Sequence, residues 1–249
     1  MKALLDCHMP FQLANGGAQI QIEQTWAALE KVGVQVEPLR WWDDQQNANI
    51  LHHFGRLSPQ LINLAHEKGM RVVLFELLTE HGSRSGLRHA FHKSMVHMLP
   101  RILPRSFTSS FGWDAYRLAD ACLALTPLEA NLMIDVFGAP AERVHVIPNG
   151  VEEAFLNSRP ATRGKWLVCT ATITERKRVV ELAEAAVKAQ TPLWIIGKPY
   201  SEAEPYAKRF RELAQQHTDI LRYEGPINDR AKLATIYREA RGIVLLSTK

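Results

Sequence analysis

Short apolar runs alternate with segments of helical period along almost the whole chain, and this alternation constrains the fold more than any other feature. The runs are Ala3–Asp6, Val34–Leu39, Ile50–Phe54, Arg71–Phe75, Ala121–Leu125 and Val144–Ile147. Between them Ile22, Trp26 and Leu29 share a helical face, as do Leu61, Leu64 and Ala65, and later Leu128, Leu132, Met133 and Val136. The alternation predicts an α/β fold, a doubly wound sheet of parallel strands joined by right-handed helical crossovers and covered on both faces.

After "VIPNGVEEAFLNSRPATRGK" the pattern starts again. Strands are expected at Trp166–Ala171, Leu193–Ile196, Ile220–Tyr223 and Ile243–Ser247, and helices at Val179–Lys188, Glu204–Gln216 and Arg230–Ala240. Glu152–Lys165 has little periodicity and carries Asn, Ser, Pro and Gly, the composition of a linker. The reading therefore gives two Rossmann-like domains, 1–151 and 152–249. The second is expected to be incomplete, because "GIVLLSTK" stops where an open sheet places its functional loop.

Composition removes several alternatives. An apolar fraction of 46% and a charged fraction of 22% belong to an ordinary globular protein. A net charge of +4 suits an anionic ligand or membrane surface without requiring nucleic acid, and no aromatic platform accompanies the basic patches. Cys7, Cys122 and Cys169 lie far apart in or beside apolar runs, as reduced core thiols do. With neither a signal peptide nor a membrane-spanning run, the chain is expected in the cytoplasm.

Two stretches could carry chemistry. In "LVCTATITERKRVVELAEAAV", Arg176, Lys177 and Arg178 separate a strand from a helix expected to begin near Lys177 or Arg178. A helix N-terminus offers unpaired N–H groups and positive potential, so cations added there suit a bound anion, a diphosphate above all. Such a charge run can also simply face water. The second stretch is "QLANGGAQIQIEQTWAALEKVG", where Gly16 and Gly17 allow close backbone approach ahead of a helix. It is neither a dinucleotide fingerprint nor a P-loop.

Together these pieces resemble retaining glycosyltransferases of family 4, which have the GT-B fold of two Rossmann domains. The resemblance rests on Asp120 to Thr126 followed by a helix and "VIPNGV", on the Gly-Gly loop, on "TATITERKRVVELAEA", and on "LWIIGKP" with "LRYEGPINDRAKLATIYREARGIVLLS". It implies transfer of a sugar from a UDP- or GDP-sugar to a saccharide or lipid-linked acceptor, with retention at the anomeric carbon and no further cofactor or metal. On the matching positions, Lys177 is the diphosphate lysine, Arg176 a second clamp, and Thr172 stands where an Arg is more usual. Gly197, Gly225 and Ile227 belong to the strand end and base loop that follow, and Gly16 and Gly17 lie near the donor phosphates and acceptor. Arg178 occupies a position that is often Gly.

Two departures accompany the resemblance. The family carries two glutamates beyond the strand that ends here at Ser247, so the chain reads as C-terminally truncated, with a nucleotide-sugar-binding fragment as the alternative to an active enzyme. Where many members place a histidine, this sequence has Glu76 and Leu77, with His81 nearby either as a substitute beside the donor sugar or as a loop histidine without a role. His52 and His53 follow a strand and read as structural or rim residues. From His81 to Trp113 there is no Asp or Glu, and Arg84, Arg88, Lys93, Arg101 and Arg105 alternate with Leu87, Phe91, Met95, Leu99 and Ile102. That pattern suits peripheral contact with an anionic membrane on its inner face. It equally suits a helix packed on the sheet, with Pro100 and Pro104 interrupting it. A nicotinamide-dependent oxidoreductase is the rival enzyme class, and the absence of G-x-G-x-x-G after either domain's first strand counts against it.

Overall fold

The computed structural model describes residues 1–7, 17–78, 93–96, 98, 99, 102, 111–156 and 161–247. They form two units, Met1–Asn149 and Gly150–Lys249, against an expected break after Val151.

In the first unit the strands are β1 (Lys2–Cys7), β2 (Gln35–Pro38), β3 (Ile50–Phe54), β4 (Arg71–Phe75), β5 (Ala121–Ala124) and β6 (Val144–Val146). Its helices include α1 (Gly17–Lys31), α2 (Pro59–Glu67), α3 (Ala115–Leu118) and α4 (Pro127–Asp135). The strands pair in parallel in the order β2-β1-β3-β4-β5-β6. Successive residues serve opposite faces of the sheet. Leu4, Leu51, Val72 and Leu74 pack with Ile62 of α2, Tyr116 of α3 and Met133 of α4. Ala3, Leu5 and Val36 pack with Ile22 of α1, and Trp26 and Leu29 lie half-buried on the same cluster.

Local chemistry starts the helices. Ser58 caps α2 by accepting from the Leu61 amide, with Pro59 in the first turn. Thr126 caps α4 by accepting from the Glu129 amide. The buried Glu129 carboxylate accepts from the Leu78 and Leu125 amides, tying the ends of β4 and β5 to the helix start. Asp120 accepts from the Val72 amide at 2.8 Å and pairs with His66 at 2.9 Å. Burial would raise its carboxyl pKa, but the Val72 amide and His66 outweigh that and hold it below its ordinary value. Asp120 and Thr126, the ends of the family-like D-x-x-x-x-x-T stretch, thus fasten the fold.

In the second unit β7 (Leu167–Thr170), β8 (Leu193–Ile196), β9 (Leu221–Tyr223) and β10 (Gly242–Ile243) pair in parallel in the order β10-β7-β8-β9. Helices α6 (Val179–Lys188) and α7 (Pro205–Gln216) cover the face of Cys169 and Ile195. The face of Val168, Trp194 and Ile196 takes α8 (Arg230–Glu239) and Phe155 of the short α5 (Glu153–Leu156).

Four expectations need correction. Leu61, Leu64 and Leu128 are exposed, while Ile62 and Ala65 fill the core under α2. Part of the expected linker is ordered onto the second unit: Phe155 packs on Tyr237, and Glu152 pairs with Arg230. The strand expected over Ile243–Ser247 is confined to Gly242–Ile243, where β7 is its one neighbour among the described residues. Finally, α6 begins at Val179, as the apolar period of Val179–Lys188 predicts, and not near Lys177 or Arg178 as the basic triplet suggested, because Arg178 is left-handed (φ 50°, ψ 41°) and separates the helix from a 3₁₀ turn, Glu175–Lys177.

Candidate functional site

In open parallel sheets ligands bind beyond the carboxyl ends of the strands, at the point where the strand order reverses. Both units have such a point, between β1 and β3 and between β7 and β10.

In the second unit three loops meet at that end. The chain leaving β7 continues along β8: Ala171 donates to Ile196 O at 3.1 Å and Ile173 to Lys198 O at 3.2 Å. Ile173 is buried in the core, which anchors the loop from below. Gly197 follows β8 with φ 150°, and a Cβ there would lie 1.9 Å from Ala171 O. No side chain fits that position. The Gly197 amide donates to Gly225 O at 3.2 Å, and the Tyr223 hydroxyl donates to Gly197 O at 3.2 Å, so the loop after β9 is fastened to the other two. Gly225 has φ 83° with open space at its Cβ, so it is required for its backbone and not for clearance. Ile227 is half-buried against the cluster of Val168, Trp194 and Ile196.

The loop after β7 carries Thr172, half-buried, then Arg176 and Lys177 in the 3₁₀ turn. Lys177 makes no ion pair among the described residues, and its charge reaches the buried Cys169 thiol. Burial pushes that thiol up to about 11, and Lys177 opposes the rise. Arg178 lies 3.8 Å from Glu181.

The helix N-terminus itself is partly occupied from within. The Val180 amide donates to the Tyr206 hydroxyl at 2.9 Å, and that hydroxyl donates to Glu181 at 2.7 Å. The Tyr206 bond draws the Glu181 carboxyl below its ordinary value, while burial and then Glu181 push the Tyr206 phenol up to about 12. The start of α6 is thus partly satisfied from within the unit, by Tyr206 and Glu181. Tyr206 lies 26 residues beyond Val180, and no pattern in the sequence announces it.

The first unit has a cavity of about 610 Å³ at its own reversal point, lined by Asp6, Cys7, His53, Arg56, Leu61 and Phe111 among others. Asp6 and the buried His53 face each other on neighbouring strands, with Oδ2 and Nδ1 2.7 Å apart. Arg56 makes a two-pronged pair with Glu76, 3.1 Å on each arm, and donates to the Tyr116 hydroxyl, which in turn donates to Glu76. Burial and then the Glu76 carboxylate push the Tyr116 phenol far up. Glu76, where a histidine is usual in the resembling family, is thus committed to a structural pair. Arg56 is missed by sequence reading, although its place just past an apolar strand, in "LHHFGR", is a usable signal.

Gly17 opens α1, and no described residue lies within 4 Å of a Cβ added there. Gly16 and His81 lie outside the described residues, as does most of the basic 81–113 segment; of its described part, residues 93–96 are helical and Val96 is buried in the core of the first unit. No helix among the described residues is long and apolar enough to cross a membrane.

Residues 33–155 match the family model described as Glycosyltransferase Family 4. Solved structures share the fold at low identity. The lipopolysaccharide outer core galactosyltransferase WaaB in its apo form is 13% identical, with TM-score 0.54 over 99% of this chain and 74% of that one. The catalytic domain of Starch Synthase IV from Arabidopsis thaliana, bound to ADP and acarbose, is 12% identical, with TM-score 0.60 over 98% and 78%. An alpha-glucosyltransferase in complex with UDP and a 13-mer DNA is 10% identical, with TM-score 0.55 over 100% and 72%. No curated protein matches the sequence.

Proposed function

We propose that this chain, a glycosyltransferase of GT-B type whose first unit is a family 4 domain, moves a sugar from a UDP- or GDP-sugar to a saccharide or lipid-linked acceptor with retention of anomeric configuration. The observation that carries the donor half is the platform at the carboxyl end of β7, β8 and β9: Gly197 locked against Ala171 and Gly225, with Lys177 in the turn that follows β7 and no carboxylate paired to Lys177 among the described residues. A structure with this fold holds ADP and another holds UDP, which supports a nucleoside diphosphate as the ligand class.

In this reading the base rests near Gly225 and Ile227, and Gly197 and Thr172 let the diphosphate lie close to the backbone. Arg176 and Lys177 meet its charge. Departure of the nucleoside diphosphate concentrates negative charge on the leaving oxygen, and fixed cations in a preorganised site stabilise that charge as it develops. Gly16, Gly17 and His81 are assigned to the sugar and acceptor side, on the resemblance alone. The reaction takes place in the cytoplasm, with peripheral contact at the membrane when the acceptor is lipid-linked.

Calorimetric titration with UDP, GDP and ADP tests the donor assignment. Lys177→Ala should weaken nucleotide binding at least about tenfold, the loss of one charge-assisted bond of roughly 1.5 to 3 kcal/mol, while the thermal midpoint stays put. Unchanged affinity in that variant removes Lys177 from the diphosphate. The anomeric signal of the product by NMR distinguishes retention from inversion, and nucleotide binding with neither transfer nor donor hydrolysis leaves a binding fragment.

A further inference from the structure

We infer that Trp41 and Trp42 form a saccharide-binding platform on the first unit, outside the cavity, for an extended neutral glycan that serves as acceptor. This extends the transfer reading above and rests on it only for the word acceptor.

The two indoles are 85% and 69% exposed and meet edge to face, 5.3 Å apart at 84°. Large aromatic side chains in mutual contact are seldom left this open in a soluble protein unless something covers them. The turn that carries them is held by its own polar groups. Arg40 bonds Asp43 Oδ2 at 3.0 and 2.9 Å and Glu37 at 3.1 Å. Gln46 accepts from the Arg40 amide at 2.8 Å and donates to Pro38 O at 2.9 Å, and the Asp43 amide donates to Arg40 O at 2.9 Å. Lys2 completes the group at 2.9 Å from Glu37. Rigid presentation of two aromatic faces lowers the ordering cost of binding, which is the arrangement expected of a recognition surface.

Position and charge select the occupant. Extending the pairing of Leu5 with Pro38 by two residues brings Arg40 level with Cys7, which lines the cavity. The tryptophans thus open off the same end of the sheet as the cavity, one strand over. Arg40 and Lys2 are matched by Glu37 and Asp43, which leaves Asp44 to give the turn a net negative charge. Anionic lipid and phosphorylated ligands are repelled by that balance. An aromatic face offers the C–H surface of a pyranose an apolar partner, and the exposed Gln45 and Asn47 can bond its hydroxyls.

The test is a printed array of neutral and anionic oligosaccharides probed with the full chain and with a Trp41→Ala/Trp42→Ala double variant. Both side chains are exposed, so the variant should keep its thermal midpoint, and Trp41→Phe, which retains an aromatic face, serves as a second variant. The expected result is retention of at least one neutral oligosaccharide of several residues, reduced at least tenfold in the double variant and largely kept in Trp41→Phe. No neutral glycan retained, or equal retention by the double variant, overturns the proposal. So does cosedimentation with phosphatidylglycerol/phosphatidylcholine vesicles that the double variant alone loses, since the tryptophans would then serve a membrane. Titration of the same protein with UDP and GDP separates the two readings: glycan retention without nucleotide binding leaves the platform standing and removes the transferase assignment.

Discussion

The two units place charge at the same end of similar sheets and treat it differently. In the first, Arg56 is enclosed by Glu76 and Tyr116, Asp6 faces His53, and Glu129 holds backbone amides. In the second, Lys177 lies in the turn that follows β7 with no carboxylate paired to it among the described residues, and the loops at the strand ends are locked by backbone contacts. A closed pair fastens a fold, whereas a cation left without a counter-charge on a rigid platform is poised for a ligand.

The strongest way to break this contrast is Gly197→Ala. With Ala171 O 1.9 Å from the new methyl, the strand-end loops must part, and we expect destabilisation of the second unit by more than about 4 kcal/mol, seen in denaturant unfolding, together with lost nucleotide binding. Glu76→Ala should follow at roughly 3 to 5 kcal/mol, because it strands a mostly enclosed guanidinium beside the buried Tyr116. Nucleotide affinity of the folded fraction should be unchanged, and a loss there would mean that Glu76 serves the donor and is not purely structural.

A smaller effect separates the units by pH. Burial, and then the neighbouring His53 ring, pull the His52 pKa down to about 4 from 6.5. The unfolded chain therefore binds the proton more readily between those values, and stability contributed by neutral His52 is whole above about pH 6.5 and lost as pH falls toward 4. The limit is roughly 3 kcal/mol, and His52→Phe should flatten the change in unfolding midpoint between pH 7.5 and 5. The smallest effect is expected for Arg178→Gly. Relief of the left-handed conformation is offset by glycine's greater freedom when unfolded and by loss of the Glu181 contact, so chemical denaturation should shift by no more than about 1 kcal/mol.

The alternation of strands and helices was legible because parallel sheets bury both faces and leave continuous apolar runs. Helix facing was less so. Leu61 and Leu64 carry the right period, but Ser58 and Pro59 set the start of α2 such that Ile62 and Ala65 turn inward. The onset of α6 at Val179 was legible from its apolar period, but nothing in the string "ERKRVV" announces the left-handed arginine before it. Lys177 and Gly197 were accessible through resemblance, whereas the contacts that lock Gly197 reach Ala171 and Gly225, 26 and 28 positions away. Arg56 with Glu76, Tyr206 with Val180 and the paired tryptophans come from the fold alone.

The close contact of Gly197 with Ala171 also bears on time. Loops fastened in this way cannot wander separately and then assemble around a visitor, so the mouth of the second unit exists before anything enters it. Arrival there becomes a single encounter whose frequency rises in proportion to concentration, and selectivity is exercised mainly through how long each visitor stays.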